Sequence, residues 1–178
     1  MVAQSCVRAG DARRYASGSV SHHRRMKIDY LAEHPHFIPT LSKWFLREWR
    51  DFYGDKTWED VAETFYERLN RNIIPLSLVA FDEQHPFGTI SLLEESITTH
   101  QHLAPWLGAL YVREEKRHHG IGRQLIEAGV GEAGRLGVER VFTGIRKAES
   151  YYLKLGWQVV ERTNYHGEDI TIMRLDLR

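Results

Sequence analysis

The sequence predicts a single α/β domain with seven strands and four helices. Hydrophobic periodicity changes along the chain in the order β-α-α-β-β-β-α-β-α-β-β, without an internal repeat. Apolar residues make up 42% and charged residues 27% of the 178 residues, which is ordinary for a globular protein of one-domain length. No apolar run approaches the ~18 residues of a membrane-spanning helix, so no membrane partner is expected.

The first half of this domain is predicted to contain three strands and two helices. The strands are expected at residues 26–32, 73–82 and 88–95. Pro35 begins the first helix, in which large apolar residues recur at helical spacing as far as Trp49. The second helix begins at Thr57, a good N-cap residue, and Asp60 stands at the position that completes a capping box.

The second half is predicted to alternate between strand and helix before it ends in a hairpin. The strand at 104–113 is apolar throughout, which is typical of a strand buried on both faces. A helical stripe follows from Ile121 to Leu136, and several glycines inside it indicate close packing. After another strand, a short helix ends at Gly156, a good C-cap, and the strands within 157–177 are joined around the letters NYHG.

The N-terminal segment has a different composition and is excluded from the predicted fold. Residues 1–27 carry six Arg or Lys and one acid, although the whole chain is neutral, and they lack hydrophobic periodicity. This composition is typical of a disordered arm or a translated upstream stretch, with Met26 as an alternative start, and it also occurs in transit peptides. We therefore expect a disordered extension over 1–25 and a single domain over 26–178.

A pair of glycines lies where the apolar strand gives way to a helix, within the letters RHHGIG. A helix N-terminus offers unpaired N–H groups and a partial positive charge, and glycine lets an anion approach the backbone closely. A P-loop would need Lys and then Ser or Thr after Gly122, and a dinucleotide site would need a third glycine at Leu125, so both patterns fail. Two alternatives are left: a helix entry with a glycine turn, and a phosphate site of the pattern Arg/Gln-x-x-Gly-x-Gly/Ala.

The segment from Arg117 to Gly122 resembles the acetyl-CoA signature of the GNAT acyltransferases (the Gcn5-related N-acetyltransferases). The preceding strand, LGALYV, and a later helix, AESYYLKLGW at 148–157, are similar to the family's sequences at the expected spacing. The order of elements also matches from residue 27 to the end. One position departs from the pattern, because Ile145 stands where many members carry an Asn that touches coenzyme A.

The resemblance implies the GNAT fold: a central mixed, mostly antiparallel twisted sheet of about seven strands, flanked by four helices and splayed at its central strands. It implies acetyl-CoA as a cosubstrate, with its pyrophosphate on the backbone of the glycine loop. Pantetheine would pair with the strand before the loop, at a bulge that Gly108 makes easier, and an N–H near Leu110 would polarise the acetyl oxygen. The implied coenzyme-binding residues are Leu110, Tyr111, Val112, Arg117, His118, His119, Gly120, Ile121, Gly122 and Arg123.

GNAT-like chemistry is a direct attack of an amine on the thioester, which requires a neutral amine and a proton for the leaving sulfur. Tyr152 matches the family's general acid, because a phenol with an ordinary pKa of ~10 keeps its proton at neutral pH. Tyr151 matches an apolar position and is expected in the core. The base stays open between Glu94, which would act through water from a strand end, and His102.

The acceptor groove is expected near the end of the first long helix. We predict that Trp49, Trp106 and His102 contact the acceptor, whereas the spacing of Trp44 places it in the core. The histidine pairs of the chain lack an acidic or Cys partner at ligand spacing, so no metal is expected.

The sequence therefore predicts an acetyl-CoA-dependent N-acetyltransferase that acts on a primary amine of a small molecule or peptide. The alternative is a coenzyme A-binding module or sensor without transfer activity, which Ile145 and the open question of the base motivate. A single cysteine, Cys6, excludes an internal disulfide and fits a cytoplasmic protein. Zero net charge argues against nucleic acid as a partner. A homodimer stays open, because many members pair through the ends of their sheets.

Overall fold

The computed structural model describes residues 26–177, so the prediction for residues 1–25 lies outside the described part of the chain. Seven strands form one sheet: β1 (Lys27–Tyr30), β2 (Leu76–Phe81), β3 (Pro86–Leu93), β4 (Trp106–Val112), β5 (Arg140–Ile145), β6 (Gln158–Tyr165) and β7 (Glu168–Asp176). Their spatial order is β1-β2-β3-β4-β5-β7-β6, and every neighbouring pair is antiparallel except β4 with β5. The predicted seven-stranded, mixed and mostly antiparallel sheet is confirmed.

Five helices, one more than predicted, accompany the sheet. They are α1 (Ile38–Glu48), α2 (Arg50–Tyr53), α3 (Trp58–Tyr66), α4 (Ile121–Arg135) and α5 (Glu149–Lys154). The extra helix arises because the backbone leaves the helical region at Trp49 (φ −121°, ψ 41°) and then starts a new turn. The predicted start of the second helix is confirmed: Asp60 N–H donates to Thr57 Oγ1, and Thr57 N–H donates to the Asp60 carboxylate.

Helices cover both faces of the sheet, so the central strands are buried on both sides. The first face, with α4 and α5, packs a core that includes Leu110, Leu125 and Tyr152. The second face, with α1 and α3, packs a separate core that includes Phe45 and Tyr111. This arrangement confirms the prediction that the most apolar strand, β4, is buried on both faces.

A β-bulge interrupts β4. Thr89 pairs with Tyr111 and Ser91 pairs with Gly108, so Ala109 and Leu110 together oppose the single residue between Thr89 and Ser91. The irregular backbone lies at Ala109, whose φ is +52°, and not at Gly108, where we expected it. Because side chains alternate along a strand, the extra residue transfers Tyr111 from the face of α4 to the face of α1.

The two parallel strands at the centre of the sheet diverge. Trp106 and Phe142 form the one paired position between β4 and β5, although β4 continues to Val112 and β5 to Ile145. The prediction that the sheet is splayed at its central strands is confirmed. The β4 backbone beyond Trp106 therefore faces a gap where a fully paired sheet would have a neighbouring strand.

Gly88 makes the close approach of β3 and β4 beside the bulge feasible, since a Cβ at this position would collide with the backbone oxygen of Tyr111. We predict that Gly88→Ala lowers the free energy of unfolding by about 1–3 kcal/mol, a typical cost of overpacking. Gly131→Ala is the control, because a Cβ there has no atom within 4 Å and alanine favours a helix by about 0.5–1 kcal/mol. Equal unfolding midpoints in urea for both variants would contradict the account.

Candidate active site

The N-terminus of α4 presents free backbone donors next to the end of β4. Gln124 is the first residue whose N–H bonds within this helix, to the carbonyl of Gly120 at 3.1 Å. The N–H groups of Ile121, Gly122 and Arg123 precede it and have no carbonyl inside the helix to bond. Together with the helix dipole, these donors form a site suited to a phosphate group.

Only one of the two loop glycines is required by the local backbone structure. Gly120, the N-cap of α4, has a φ of +79°, in the left-handed region that a side chain disfavours. A Cβ on Gly122 would lie 3.8 Å from the Val112 side chain, an ordinary contact, so packing of the described residues does not require glycine there. The neighbouring histidines, His118 and His119, are exposed, and Nδ1 of His119 lies 2.7 Å from the Arg117 carbonyl oxygen.

The Arg117 side chain turns inward and braces the loop. Its Nε donates to the Val112 carbonyl at 2.9 Å, and its Nη2 lies 3.3 Å from a carboxylate oxygen of Glu48 on α1. The guanidinium also lies 5.5 Å from the centre of the Tyr111 ring. The side chain therefore fixes the loop against β4 and α1, and Arg123 is paired with Glu127 at 2.7 Å. The backbone donors of α4 are left to meet an anion.

The predicted pantetheine-binding segment of β4 has buried side chains beside an open backbone edge. Leu110 and Tyr111 are 6% and 3% exposed, and Val112 is half-buried. The Tyr111 ring packs within 6.0 Å of the rings of Trp44 and Trp49. Trp44 is therefore a half-buried residue of the α1 core, close to what its spacing predicted. The edge that faces the gap toward β5 is where an extended ligand could pair with these residues.

The two tyrosines of α5 differ in burial in a way that the sequence did not predict. Tyr152 is 1% exposed and packs against Trp157, and burial, with a smaller contribution from Tyr151, raises the pKa of its hydroxyl. Tyr151, which we expected in the core, is only half-buried and lies near Arg123 and Glu127 at the start of α4. One residue of helix turns a side chain by about 100°, so only one of two successive tyrosines can face the sheet.

Three predicted site residues lie at the opposite end of β4 from the glycine loop. Trp106 is fully buried, and its indole N–H donates to the Leu103 carbonyl. It is therefore not available to contact an acceptor, which differs from our prediction. Its burial follows from its position at the point where β4 and β5 still pair. Glu94 and His102 are exposed near this end of the strand, and β4 extends over ~20 Å at ~3.3 Å per residue.

A cleft of about 220 Å³ lies where α1 gives way to α2, beside the end of β5 and the turn between β6 and β7. Its lining residues are Trp49, Asp51, Phe52, Arg146, Tyr165, His166, Glu168 and Ile170. The turn consists of His166 and Gly167, with φ values of +51° and +80°, as in the tight hairpin turns that match strand twist. Of the predicted acceptor residues, Trp49 is in this cleft, and Trp106 and His102 are not.

Charges in the cleft are unevenly compensated. Arg146 pairs with Glu168 at 2.9 Å, whereas Asp51 is exposed and engages in no hydrogen bond or ion pair within the described residues 26–177. Phe52 leaves 52% of its surface exposed at the rim. The cleft therefore offers one free carboxylate and an uncovered aromatic wall.

The cleft and the glycine loop lie on opposite faces of the sheet. Trp49 belongs to the core on the α1 face, and Tyr152 belongs to the core on the α4 face. Tyr111 connects the cleft with the glycine loop, because its ring packs against that of Trp49 and also contacts the guanidinium of Arg117.

The described part of the chain contains neither a metal-binding cluster nor a membrane-spanning helix. Among residues 26–177, no group of three or more His, Cys, Asp or Glu side chains could hold a metal ion. Over the same residues, no helix has the length and apolar character needed to cross a membrane.

One family model matches part of the chain. Residues 75–159 match the family model described as the acetyltransferase (GNAT) domain. A search of curated protein sequences gives no match. The fold is similar to that of an aminoglycoside 6'-N-acetyltransferase complexed with coenzyme A, with a TM-score of 0.66, 17% identity, and coverage of 84% of this chain and 96% of that chain.

Two further solved structures have a similar fold. The yncA protein of Salmonella typhimurium, with its cofactor acetyl-CoA, has a TM-score of 0.64 and 17% identity, and the match covers 86% of this chain and 94% of that one. The aminoglycoside 6'-N-acetyltransferase from Enterococcus faecium has a TM-score of 0.62 and 18% identity, with 84% and 96% covered. At such identities the likeness concerns the fold.

Burial of the tyrosines predicts how stability changes at alkaline pH. Burial raises the pKa of Tyr53 to about 12 and raises that of Tyr152 as well, whereas a phenol in the unfolded chain has a pKa of ~10. Above that pH the unfolded state loses protons that the folded state keeps, so the free energy of unfolding falls as pH rises. Between pH 9 and 11 the free energy of unfolding of Tyr152→Phe should therefore fall by about 1.4 kcal/mol less than that of the wild type.

The measurement is urea unfolding of both proteins across this pH range. Tyr66→Phe serves as the control, because it removes a phenol that is 49% exposed in place of a buried one. The same pH dependence in the wild type and in Tyr152→Phe would contradict the burial of this phenol.

Proposed function

We propose that the chain is a GNAT acetyltransferase that transfers the acetyl group of acetyl-CoA to a primary amine. The divergence of β4 and β5 is the observation that carries this proposal. It leaves an opening between the two faces of the sheet. On one face lie Tyr152 and the backbone N–H groups that would bind phosphate, and on the other lies the open cleft that contains Asp51. A thioester and an amine that approach from opposite faces can meet in this opening.

The coenzyme site is supported by the loop between β4 and α4. The pyrophosphate would accept hydrogen bonds from the N–H groups of residues 121–123, and pantetheine would pair with the free edge of Leu110, Tyr111 and Val112. Crystallised structures with a similar fold contain coenzyme A or acetyl-CoA. In this arrangement the Arg117 side chain positions the loop through Glu48 and Val112.

The acceptor would enter the cleft and attack the thioester carbonyl. A bond forms between the amine nitrogen and the acetyl carbon, the carbon–sulfur bond breaks, and the products are an amide and coenzyme A. An N–H at the β4 bulge near Leu110 would stabilise the negative charge on the carbonyl oxygen. The leaving thiolate would take the proton of Tyr152, which its raised pKa keeps on the phenol until transfer.

The base that receives the amine proton is proposed to lie in the cleft. His166 on the β6–β7 turn and Asp51 on α2 both line the space that the acceptor would occupy, and a neutral imidazole is a suitable proton acceptor. Glu94 and His102, the bases considered from the sequence, lie beside Trp106 at the other end of β4. If either residue were the base, the amine proton would have to reach it through a longer chain of water molecules than from the cleft to His166 or Asp51.

The direct test combines coenzyme binding with turnover. Saturating acetyl-CoA should raise the melting temperature, and an amine panel with a free-thiol readout should identify at least one acceptor that forms an acetylated product. Absence of both effects would overturn the proposal. Binding without turnover on any amine would favour a coenzyme A-binding module in its place.

Substitution of Gly120 tests the phosphate site through charge. Asn and Asp have the same shape, and both enter the left-handed region more easily than other side chains, so the two variants should carry similar strain. Gly120→Asp places a carboxylate beside the anion, and we predict that it weakens coenzyme A binding at least about 100-fold more than Gly120→Asn does, equal to ~2.7 kcal/mol. Isothermal titration calorimetry provides both dissociation constants; equal values would contradict the loop assignment.

Removal of the Tyr152 hydroxyl tests its role as the acid. Tyr152→Phe keeps the ring in the core and is expected to lower kcat about 100-fold, within the usual contribution of a general acid. The dissociation constant of acetyl-CoA should change less than about threefold, because the pyrophosphate contacts are unaffected. Steady-state kinetics and equilibrium binding measure the two quantities, and an unchanged kcat across pH would exclude the acid role.

A further inference from the structure

We propose that the preferred acceptor is a small monoamine with an aromatic body, an arylalkylamine, and that polycationic amines are poor acceptors. This inference rests on the proposed function and concerns the cleft formed by the α1–α2 break, the end of β5 and the β6–β7 turn. Three properties of the cleft support it: its size, its aromatic wall and its single uncompensated charge.

The size of the cleft suits one ring and a short chain. Its volume is about 220 Å³, and an apolar cavity of ~150 Å³ in a protein is large enough to bind benzene. The remaining space corresponds to about two water-sized groups at ~30 Å³ each. An aromatic ring with a two-atom linker to its amine fills such a space, whereas an aminoglycoside of several sugar rings would leave most of its surface outside.

The wall of the cleft is aromatic and partly uncovered. Phe52 is 52% exposed although it is large and apolar. The ring of His166 lies 6.5 Å from that of Phe52 and 4.3 Å from that of Tyr165, at near-perpendicular angles. Rings at such separations form favourable edge-to-face pairs, so a substrate ring can join the cluster and cover Phe52.

The charges of the cleft match one ammonium group. The Glu168 carboxylate is already paired with Arg146 at 2.9 Å, so Asp51 is the lining carboxylate that is left for a cation. Because the Arg146–Glu168 pair is already compensated, a second or third ammonium group of a polyamine would find no further free carboxylate among the residues that line the cleft. The site therefore favours one positive charge over several.

The experiment compares four acceptors at saturating acetyl-CoA: 2-phenylethylamine, propylamine, spermidine and kanamycin. Free thiol and the acetylated product, identified by mass spectrometry, are both measured. We expect kcat/KM for 2-phenylethylamine to exceed the values for spermidine and kanamycin by at least about 10-fold, the ratio that 1.4 kcal/mol of differential binding provides.

Variants assign this preference to the cleft. Phe52→Ala should lower kcat/KM about 10-fold for 2-phenylethylamine, since a favourable ring pair is lost, and should lower that for propylamine by a smaller factor, because propylamine has no ring to pair. Asp51→Asn should raise KM for both monoamines. Tyr66→Ala is the matched control, because it removes another half-exposed aromatic side chain that does not line the cleft, and it should change neither substrate.

Each outcome separates the inference from the proposed function. Faster turnover of spermidine or kanamycin than of 2-phenylethylamine would overturn the inference and leave the acetyltransferase function intact. A preference for 2-phenylethylamine that Phe52→Ala does not change would overturn the assignment of the cleft. Coenzyme binding without turnover of any acceptor would overturn amine acetylation itself.

Discussion

The bulge in β4 is the constraint on which the rest of the candidate site depends. One extra residue at Ala109 and Leu110 moves Tyr111 from the face of α4 to the face of α1. From there the tyrosine ring packs against Trp49 of the cleft and supports the guanidinium of Arg117 in the glycine loop. The two ends of the site are therefore positioned by the same side chain, and the strained backbone of Ala109 is stabilised by full burial.

The divergence of β4 from β5 provides what a fully paired sheet could not. Backbone groups in a sheet interior normally bond to the neighbouring strand, and an unpaired buried edge costs free energy. Here the parallel strands meet at Trp106 and Phe142 alone, and helices cover both faces of the sheet. A ligand that pairs with the β4 edge would satisfy the exposed groups, and reactants from the two faces would meet there.

Local features of the fold could be predicted from the sequence because they depend on neighbouring residues. The element order, the capping box at Thr57 and the glycine that begins α4 follow from periodicity and from the chemistry of helix ends. The exposure of single side chains was predicted less well. Trp106 is covered because Phe142, thirty-six residues away, pairs with it, and Tyr151 differs from Tyr152 through the orientation of α5.

The cleft could not be predicted, since it combines three segments that are distant in sequence. Its free carboxylate is on α2, its ion pair joins the residue after β5 to the first residue of β7, and its imidazole is on a turn. The sequence signal that could have indicated it is the His-Gly pair in that turn, where both residues have positive φ and the ring of His166 lies 6.5 Å from that of Phe52. The role of such a residue can be inferred only when the pairing of the strands around it is known.

Hydrogen exchange at single-residue resolution, with and without coenzyme A, tests whether the coenzyme binds on the α4 side of the gap. We predict that the coenzyme slows exchange of the amides at the β4 edge, Leu110 to Val112, and at the start of α4, Ile121 to Arg123. The amides of the β6–β7 turn should exchange at unchanged rates, because they lie on the acceptor side. Protection confined to the cleft face, or no protection at either segment, would contradict a coenzyme site on the α4 side of the gap.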